Sequence, residues 1–109
     1  MYAGIDLGGT NIAVGLTDLT GTLLKKASVP LGSAKADPSM AADKMAEALN
    51  SLGGEIEAVG IGSPGIVDPE SGRVVFASNI AFSDYPLVAE MKKRLGKKCV
   101  LINDGNAAA

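Results

Sequence analysis

Two aspartates, Asp6 and Asp104, end apolar runs near opposite ends of the chain. Asp6 precedes a glycine-rich turn at residues 8–11, whereas Asp104 follows Asn103. A carboxylate beside a glycine turn and another among amides suit phosphoryl transfer, in which one serves a metal ion and the other accepts the proton of an attacking hydroxyl. The alternative is that Asp6 only stabilises a hairpin turn and that Asp104 or Asn106 only caps a helix.

The turn at residues 8–11 joins two apolar runs that read as strands, so no helix dipole is available there. Consecutive backbone N–H groups in a turn that contains Gly8 and Gly9 can still form a concavity for an anion, and the glycines let a bulky phosphate come near. Asp6 would repel that phosphate unless a cation stood between them. Mg²⁺ binds through one or two carboxylates, waters and substrate phosphates, so Asp6 is predicted to hold Mg²⁺ through water.

A second glycine-rich stretch, GIGSPG at residues 60–65, has the letters of the dinucleotide fingerprint G-x-G-x-x-G. That fingerprint must open a helix, and Pro64, Pro69 and Gly72 allow none here, which argues against NAD binding. The glycines then serve turn geometry alone, or they let the backbone approach a ligand closely. Asn79, in ASNIAF, is equally open as a turn residue or a ligand contact.

Composition excludes several classes of protein. The chain has 109 residues, the size of one domain, a net charge of −2 and no histidine. It therefore has no Ser-His triad, no histidine metal site and no global charge that favours nucleic acid or a membrane surface. The basic residues at positions 92–98 fall at the end of a predicted helix and read as solvated surface. With no apolar run that spans a bilayer, no signal peptide and only Cys99 for disulfide chemistry, we expect a cytoplasmic protein with a buried thiol.

Short apolar runs and turn residues predict six strands. Residues 2–7, 12–18 and 22–29 form an antiparallel meander, and later strands are predicted at residues 57–62, 74–77 and 99–102.

Three helices are predicted between and after these strands. Asp37 caps the first, which ends at Gly53, and Ser83 or Asp84 caps the second, which ends at Gly96. A third opens at residue 107. A meander followed by alternating helix and strand indicates the α/β class, with a mixed sheet flanked by helices.

Three stretches, in this order, resemble the N-terminal half of the ROK family of sugar kinases, bacterial glucokinases above all: GIDLGGTNIAVGL, GIGSPGIVDPESGRVVFASNIAF and YPLVAEMKKRLGKKCVLINDGNAAA. The resemblance covers nearly the whole chain. It implies the actin-like (ribonuclease H-like) ATPase fold, in which two α/β domains enclose the active site. Residues 1–109 would be the N-terminal domain of a two-domain, ATP-dependent hexose kinase that phosphorylates the 6-hydroxyl, with glucose as the expected sugar.

The resemblance also assigns roles to residues. It implies that ATP phosphates and Mg²⁺ bind at Asp6, Gly8, Gly9, Thr10 and Asn11. It makes Asp104 the catalytic base, and it places Gly65, Asn79, Asn103 and Asp104 at sugar hydroxyls. The family often has Lys where this chain has Asn11, which puts direct cationic help from this turn in doubt, and Gly105 stands where Ala is common.

The family's Glu-Gly-x-His sugar motif, zinc site, second phosphate loop and adenosine pocket belong to its second half. We therefore expect these 109 residues alone to be inactive, and structural zinc only in that half. Apolar surface left uncovered predicts a homo-oligomer. Two alternatives are a sugar-sensing transcriptional regulator of the same family and a non-catalytic actin-like module. The regulators carry a helix-turn-helix before the first strand, whereas strand residues begin here at Tyr2.

Overall fold

The structure, a computed structural model, describes residues 1–8, 10–63, 65–77 and 82–103, the side chains of residues 102 and 103 excepted. The strands are β1 (Tyr2–Leu7), β2 (Asn11–Thr17), β3 (Leu23–Pro30), β4 (Ala58–Ser63), β5 (Ile66–Asp68), β6 (Arg73–Phe76), β7 (Ser83–Tyr85) and β8 (Lys98–Asn103). The α-helices are α1 (Pro38–Leu52) and α2 (Leu87–Leu95), and a 3₁₀ helix spans Gly32–Ala36. The third helix, predicted from residue 107, lies outside the described residues.

Five strands form one mixed sheet in the order β3-β2-β1-β4-β8. The first three strands are antiparallel neighbours, which confirms the predicted meander. β4 pairs in parallel with β1, and β8 pairs in parallel with β4. Parallel strands need a long crossover connection, and these two connections contain α1 and α2. The predicted α/β class is confirmed.

Both α-helices cover the same face of this sheet. Along β1 and β2 the buried side chains alternate with exposed ones, as the two-residue period of a strand requires. α1 packs on β1, β2 and β3, α2 packs on β8, and the two helices contact each other. The core therefore lies on one side of the sheet, and its largest fully buried side chains there include Leu7, Ile12, Met45, Ile61 and Leu101.

The opposite face of the sheet is open in the described part of the chain. Gly15, Gly4 and Gly60 stand side by side on β2, β1 and β4, and Val100 continues the row on β8. A Cβ added at Gly4 or Gly60 would meet no atom within 4 Å. Tyr2 and Val100 are 42% and 51% exposed on this face. We call this surface, from Tyr2 through the glycine row to Val100, the open face.

α1 begins and ends where the sequence predicts. The side chain of Asp37 accepts hydrogen bonds from the backbone N–H groups of Ser39 (3.1 Å) and Met40 (3.2 Å), and Pro38 occupies the first helical position. An N-cap carboxylate satisfies amides that have no partner within the helix. Gly53, with φ +73°, ends the helix.

The prediction that Ser83 or Asp84 caps α2 was wrong. Ser83–Tyr85 form β7, which pairs with β6 in a second, three-stranded sheet β5-β6-β7, and α2 starts after Pro86 without a side-chain cap. The Asp84 carboxylate is instead engaged by the Arg73 Nε at 2.7 Å, on the neighbouring strand. Backbone pairing with β6, which joins Val74 to Tyr85 and Phe76 to Ser83, makes this segment a strand despite its cap-type residues.

Cys99 is 5% exposed, as predicted for a buried thiol. Burial raises the pKa of this thiol, so the unreactive protonated form predominates at neutral pH. No helix in the described ranges is long and apolar enough to cross a membrane.

Arg94 ties α2 to α1 through a cluster of polar contacts. Its Nε lies 2.6 Å from an Asp43 carboxylate oxygen, its Nη1 donates to the Glu90 carboxylate at 3.0 Å, and its Nη2 donates to the Ser39 hydroxyl at 3.2 Å. The pKa of Glu90 lies below its usual value of 4.5 because Arg94, and then Lys93, donate to its carboxylate. A planar guanidinium can hold several acceptors at once, which suits it to joining two helices.

We expect Arg94→Met to lower the Tm by about 5–10 °C, because several hydrogen bonds between the helices are lost together. Lys93→Met removes only an exposed ion pair and should change the Tm by less than about 3 °C. Thermal unfolding followed by circular dichroism measures both. Protonation of Glu90 removes part of the Arg94 network, so the difference between wild type and Arg94→Met should shrink as the pH falls below 4.5. Equal losses in the two variants would contradict the assignment.

Candidate functional site

The carboxyl ends of β1, β4 and β8 lie at one edge of the large sheet, because the three strands are parallel. Asp6 is in register with Gly62, and Ser63 is in register with Asn103. Ligands of open α/β sheets bind beyond the carboxyl ends of parallel strands. The pairing therefore brings the first and last predicted site segments, residues 6–11 and the end of β8, to the same edge although they lie at opposite ends of the chain.

Asp6 presents an exposed side chain at this edge, on the open face. Its neighbours across the sheet are Ala13 on β2 and Gly62 on β4, which are too small to cover it. Among the described residues the Asp6 carboxylate makes no hydrogen bond or ion pair. An exposed, uncommitted carboxylate beside a turn fits Mg²⁺ that keeps most of its waters and takes its other ligands from phosphate. No three acidic, cysteine or histidine side chains cluster within the described ranges, so a cage made only of protein ligands is not present there.

The turn between β1 and β2 is tied down at both ends. The Gly8 N–H donates to the Asn11 carbonyl oxygen at 2.9 Å, and the Leu31 N–H donates to the Thr10 carbonyl oxygen at 2.8 Å. Thr10 and Asn11 are exposed, and Leu31 is fully buried. The structure thus places Asp6, Gly8, Thr10 and Asn11 close together at this edge, and their role in phosphate binding stays a prediction. Gly9 lies outside the described residues.

Gly65 lies between β4 and β5 and packs closely against the end of β6. Its φ is +85°, a region that favours glycine, and a Cβ there would collide with the carbonyl oxygen of Phe76 and lie 2.9 Å from the Cα of Ala77. The Ala77 N–H in turn donates to the carbonyl oxygen of Phe82 at 3.3 Å. Close packing alone therefore requires a glycine here, whether or not its backbone also contacts a ligand.

Ser63 is a residue of this edge that the sequence did not single out. It is the one fully buried polar side chain among the described residues, and it ends β4 next to Asn103. The two-residue period of the strand could have revealed that Ser63 is buried, because Ser63 follows Val59 and Ile61 on the buried face of β4. Buried hydroxyls are almost always hydrogen-bonded, so Ser63 adds a fixed polar group at the carboxyl end of β4.

Two of the predicted site residues besides Gly9, namely Asn79 and Asp104, lie outside the described residues. For Asn103 the strand position is described and the side chain is not. The described anchors on either side of Asn79 are Ala77 and Phe82. Asp104 directly follows β8, whose last residue is level with Ser63.

Comparison with known proteins shows that this chain is similar to part of several sugar kinases. A sequence model of the ROK family matches residues 2–109. A glucokinase from Streptomyces coelicolor is 40% identical over 108 residues, which are 97% of this chain and 33% of that protein. An N-acetyl-D-glucosamine kinase from Salmonella gallinarum is 39% identical over 111 residues, covering 100% of this chain and 36% of that protein. The chain spans about a third of the length of these relatives.

Solved structures agree. A ROK family glucokinase from Streptomyces griseus, in complex with glucose and AMPPNP, superposes with a TM-score of 0.88 at 37% identity, over 98% of this chain and 34% of that one. A ROK hexokinase from Thermus thermophilus gives 0.84 at 35% identity, over 99% and 36%. These neighbours confirm the predicted actin-like ATPase fold. A ROK family transcriptional regulator gives 0.79 over 94% of this chain and 27% of that one, but at 17% identity it shows the fold alone.

We expect Gly65→Ala to lower the free energy of unfolding by more than about 2 kcal/mol, because the backbone is left-handed and the new Cβ meets the Phe76 carbonyl. Gly60→Ala is the matched control. Its Cβ would enter open space in the middle of a strand, so the change should be within about 0.5 kcal/mol of wild type or slightly stabilising. Urea unfolding of both variants measures the difference. Similar costs would show that the packing at Gly65 is not what requires glycine.

Proposed function

Because this chain belongs to the ROK family, we propose that the protein carrying it is an ATP-dependent sugar kinase that transfers the γ-phosphoryl group to the 6-hydroxyl of a hexose. The observation that carries the proposal is the shared edge. Asp6 with its turn and the end of β8, which leads into Asp104, lie at the carboxyl ends of parallel strands. Phosphoryl transfer depends mainly on positioning and charge, which an edge of this kind supplies.

On this proposal the turn at residues 8–11 receives the phosphates of ATP. Gly8 and Gly9 leave room for them, and the Thr10 hydroxyl and Asn11 amide are the polar side chains of the turn. Asp6 would hold Mg²⁺ through water, and the bound ion would neutralise phosphate charge. The Asp6 side chain is suited to this because its neighbours Ala13 and Gly62 leave it uncovered.

Asp104 is proposed as the base. Its carboxylate accepts the proton of the sugar hydroxyl as that oxygen forms a bond to the γ-phosphorus, while the bond from that phosphorus to the bridging oxygen breaks and ADP leaves with the electron pair. Asn103, Asn79 and the backbone at Gly65 are proposed to hold other sugar hydroxyls. Ser63 and the packing of Gly65 on Phe76 support this by fixing the strand end and the loop beneath them.

Glucose is the proposed sugar. Glucokinases from Streptomyces coelicolor and Thermotoga maritima, at 40% and 41% identity, support it. N-acetyl-D-glucosamine kinases at 38–39% identity make the N-acetylated sugar the competing substrate. A coupled assay with both sugars, on the natural protein that carries this chain, decides between them through the ratio of their kcat/KM values.

We expect Asp104→Asn to lower kcat by about 10²-fold to 10⁴-fold, because it removes the proton acceptor while preserving shape. Sugar and nucleotide binding, measured by calorimetry, should change little. Glu57→Gln, at the opposite edge beside the start of β4, is the control and should keep full activity. Turnover retained in Asp104→Asn would remove that residue from its role.

Asp6→Asn should raise the KM for Mg–ATP about tenfold, the loss expected for one charge-assisted contact, and leave the sugar affinity unchanged. Excess Mg²⁺ should recover part of the activity. Steady-state kinetics at several Mg²⁺ concentrations test this. An Asp6→Asn enzyme with wild-type dependence on Mg²⁺ would show that Asp6 stabilises only the turn.

We also propose that the chain associates with itself through the open face. Tyr2 and Val100 are exposed there, and the glycine row permits close approach. Val100→Lys should weaken association in sedimentation equilibrium, whereas Leu19→Lys, in the exposed turn after β2, should not. A wild-type chain that stays monomeric at high concentration would contradict the proposal.

A further inference from the structure

Lys44 lies on α1, which packs on the buried face of the sheet. Its ammonium group reaches the end of β3, next to the turn at residues 8–11. Its Nζ donates to the carbonyl oxygens of Pro30 (3.2 Å) and Leu31 (3.1 Å), where β3 ends. Lys44 is partly buried, and its hydrogen bond to Leu31 is partly shielded from water, whereas its hydrogen bond to Pro30 is exposed. One side chain thereby fixes two consecutive carbonyl groups.

Both carbonyl groups belong to residues that touch the turn at residues 8–11. Pro30 is the register partner of Asn11 across β2 and β3. The Leu31 N–H donates to the Thr10 carbonyl oxygen at 2.8 Å. The path from the ammonium group to the turn is therefore Lys44 to Leu31 to Thr10, two hydrogen bonds with one buried residue between them.

The turn has no basic side chain of its own, since residues 8–11 are Gly, Gly, Thr and Asn. It carries two glycines, which give the backbone many alternative conformations. The turn has one internal hydrogen bond, from the Gly8 N–H to the Asn11 carbonyl oxygen, and its conformation is restricted further by contacts from outside. The tie through Leu31 is such a contact, and Lys44 holds the residue that makes it.

We propose that Lys44 is a positioning residue for nucleotide binding, acting through Leu31 on the turn at residues 8–11. This inference rests on the proposed function, because it gives the turn the role of a phosphate site. Lys44 contacts neither sugar nor nucleotide in this assignment. It keeps the backbone of Thr10 and Asn11 in the conformation that receives the phosphates.

The chain offers a matched control at the other end of the same helix. The Nζ of Lys25, on β3, donates to the carbonyl oxygen of Leu52 at 3.0 Å. Lys25 thus also joins β3 to α1 through an ammonium-to-carbonyl hydrogen bond, but at the edge away from the turn. A purely structural tie would behave alike at both positions.

The test compares Lys44→Met, Lys44→Arg and Lys25→Met in the natural protein that carries this chain. Lys44→Met should raise the KM for ATP and the dissociation constant for Mg–AMPPNP about 3-fold to 10-fold, the loss expected for a hydrogen bond of this kind, with the KM for sugar unchanged. Lys44→Arg keeps the donors and should restore most of the affinity. Lys25→Met should leave both substrates unaffected.

Hydrogen exchange provides a readout that does not depend on activity. The amides of Leu31 and Gly8 should exchange about 3-fold to 10-fold faster in Lys44→Met and at the wild-type rate in Lys25→Met. If wild type binds nucleotide and the two methionine variants have the same effect, or neither has any, the role of Lys44 is overturned while the proposed function stands. If wild type neither binds nor uses nucleotide, the proposed function fails and this inference fails with it.

Discussion

Parallel pairing of β1, β4 and β8 is the constraint on which the candidate site depends. It aligns the carboxyl ends of strands that begin at residues 2, 58 and 98, so chemistry-bearing residues far apart in sequence reach one edge. The register is set by burial. A slip of one residue would turn Ile61 and Leu101 to the open face and Gly60 and Val100 into the core. The same hydrophobic pattern that builds the core therefore also sets which residues stand at the edge.

Small residues decide what the edge can accept. Ala13 and Gly62 leave the Asp6 carboxylate uncovered, and the glycines of the first turn leave its backbone bare. Gly65 has the opposite effect, because it packs closely against Phe76 and Ala77, which a larger residue at this position would push away. Glycine thus has two effects here: it leaves the backbone of the first turn bare, and it allows close packing at Gly65.

The glycine-rich turn at residues 8–11 is stabilised by contacts with neighbouring elements, and the helices on the buried face of the sheet support these contacts. Lys44 reaches from α1 to the end of β3, and the Leu31 amide passes that support on to Thr10. Arg94 locks α2 to α1, so both helices support the sheet as a unit. The open face carries no such layer in the described residues, so the packing of this part of the chain is one-sided.

The sequence by itself determined the meander, the bounds of α1 and the class of the fold, because these follow from local signals: a two-residue alternation, an Asp-Pro helix start and glycine stops. The sequence also identified Asp6 and the turn after it as candidate site residues, because an acidic residue followed by glycines can be recognised without a structure. Only the tertiary structure decided that Ser83–Tyr85 form a strand, because the backbone partners of this segment lie on another strand, β6. It alone shows the burial of Ser63, the close packing of Gly65 and the hydrogen bonds of Lys44, since each depends on residues that come near only by folding.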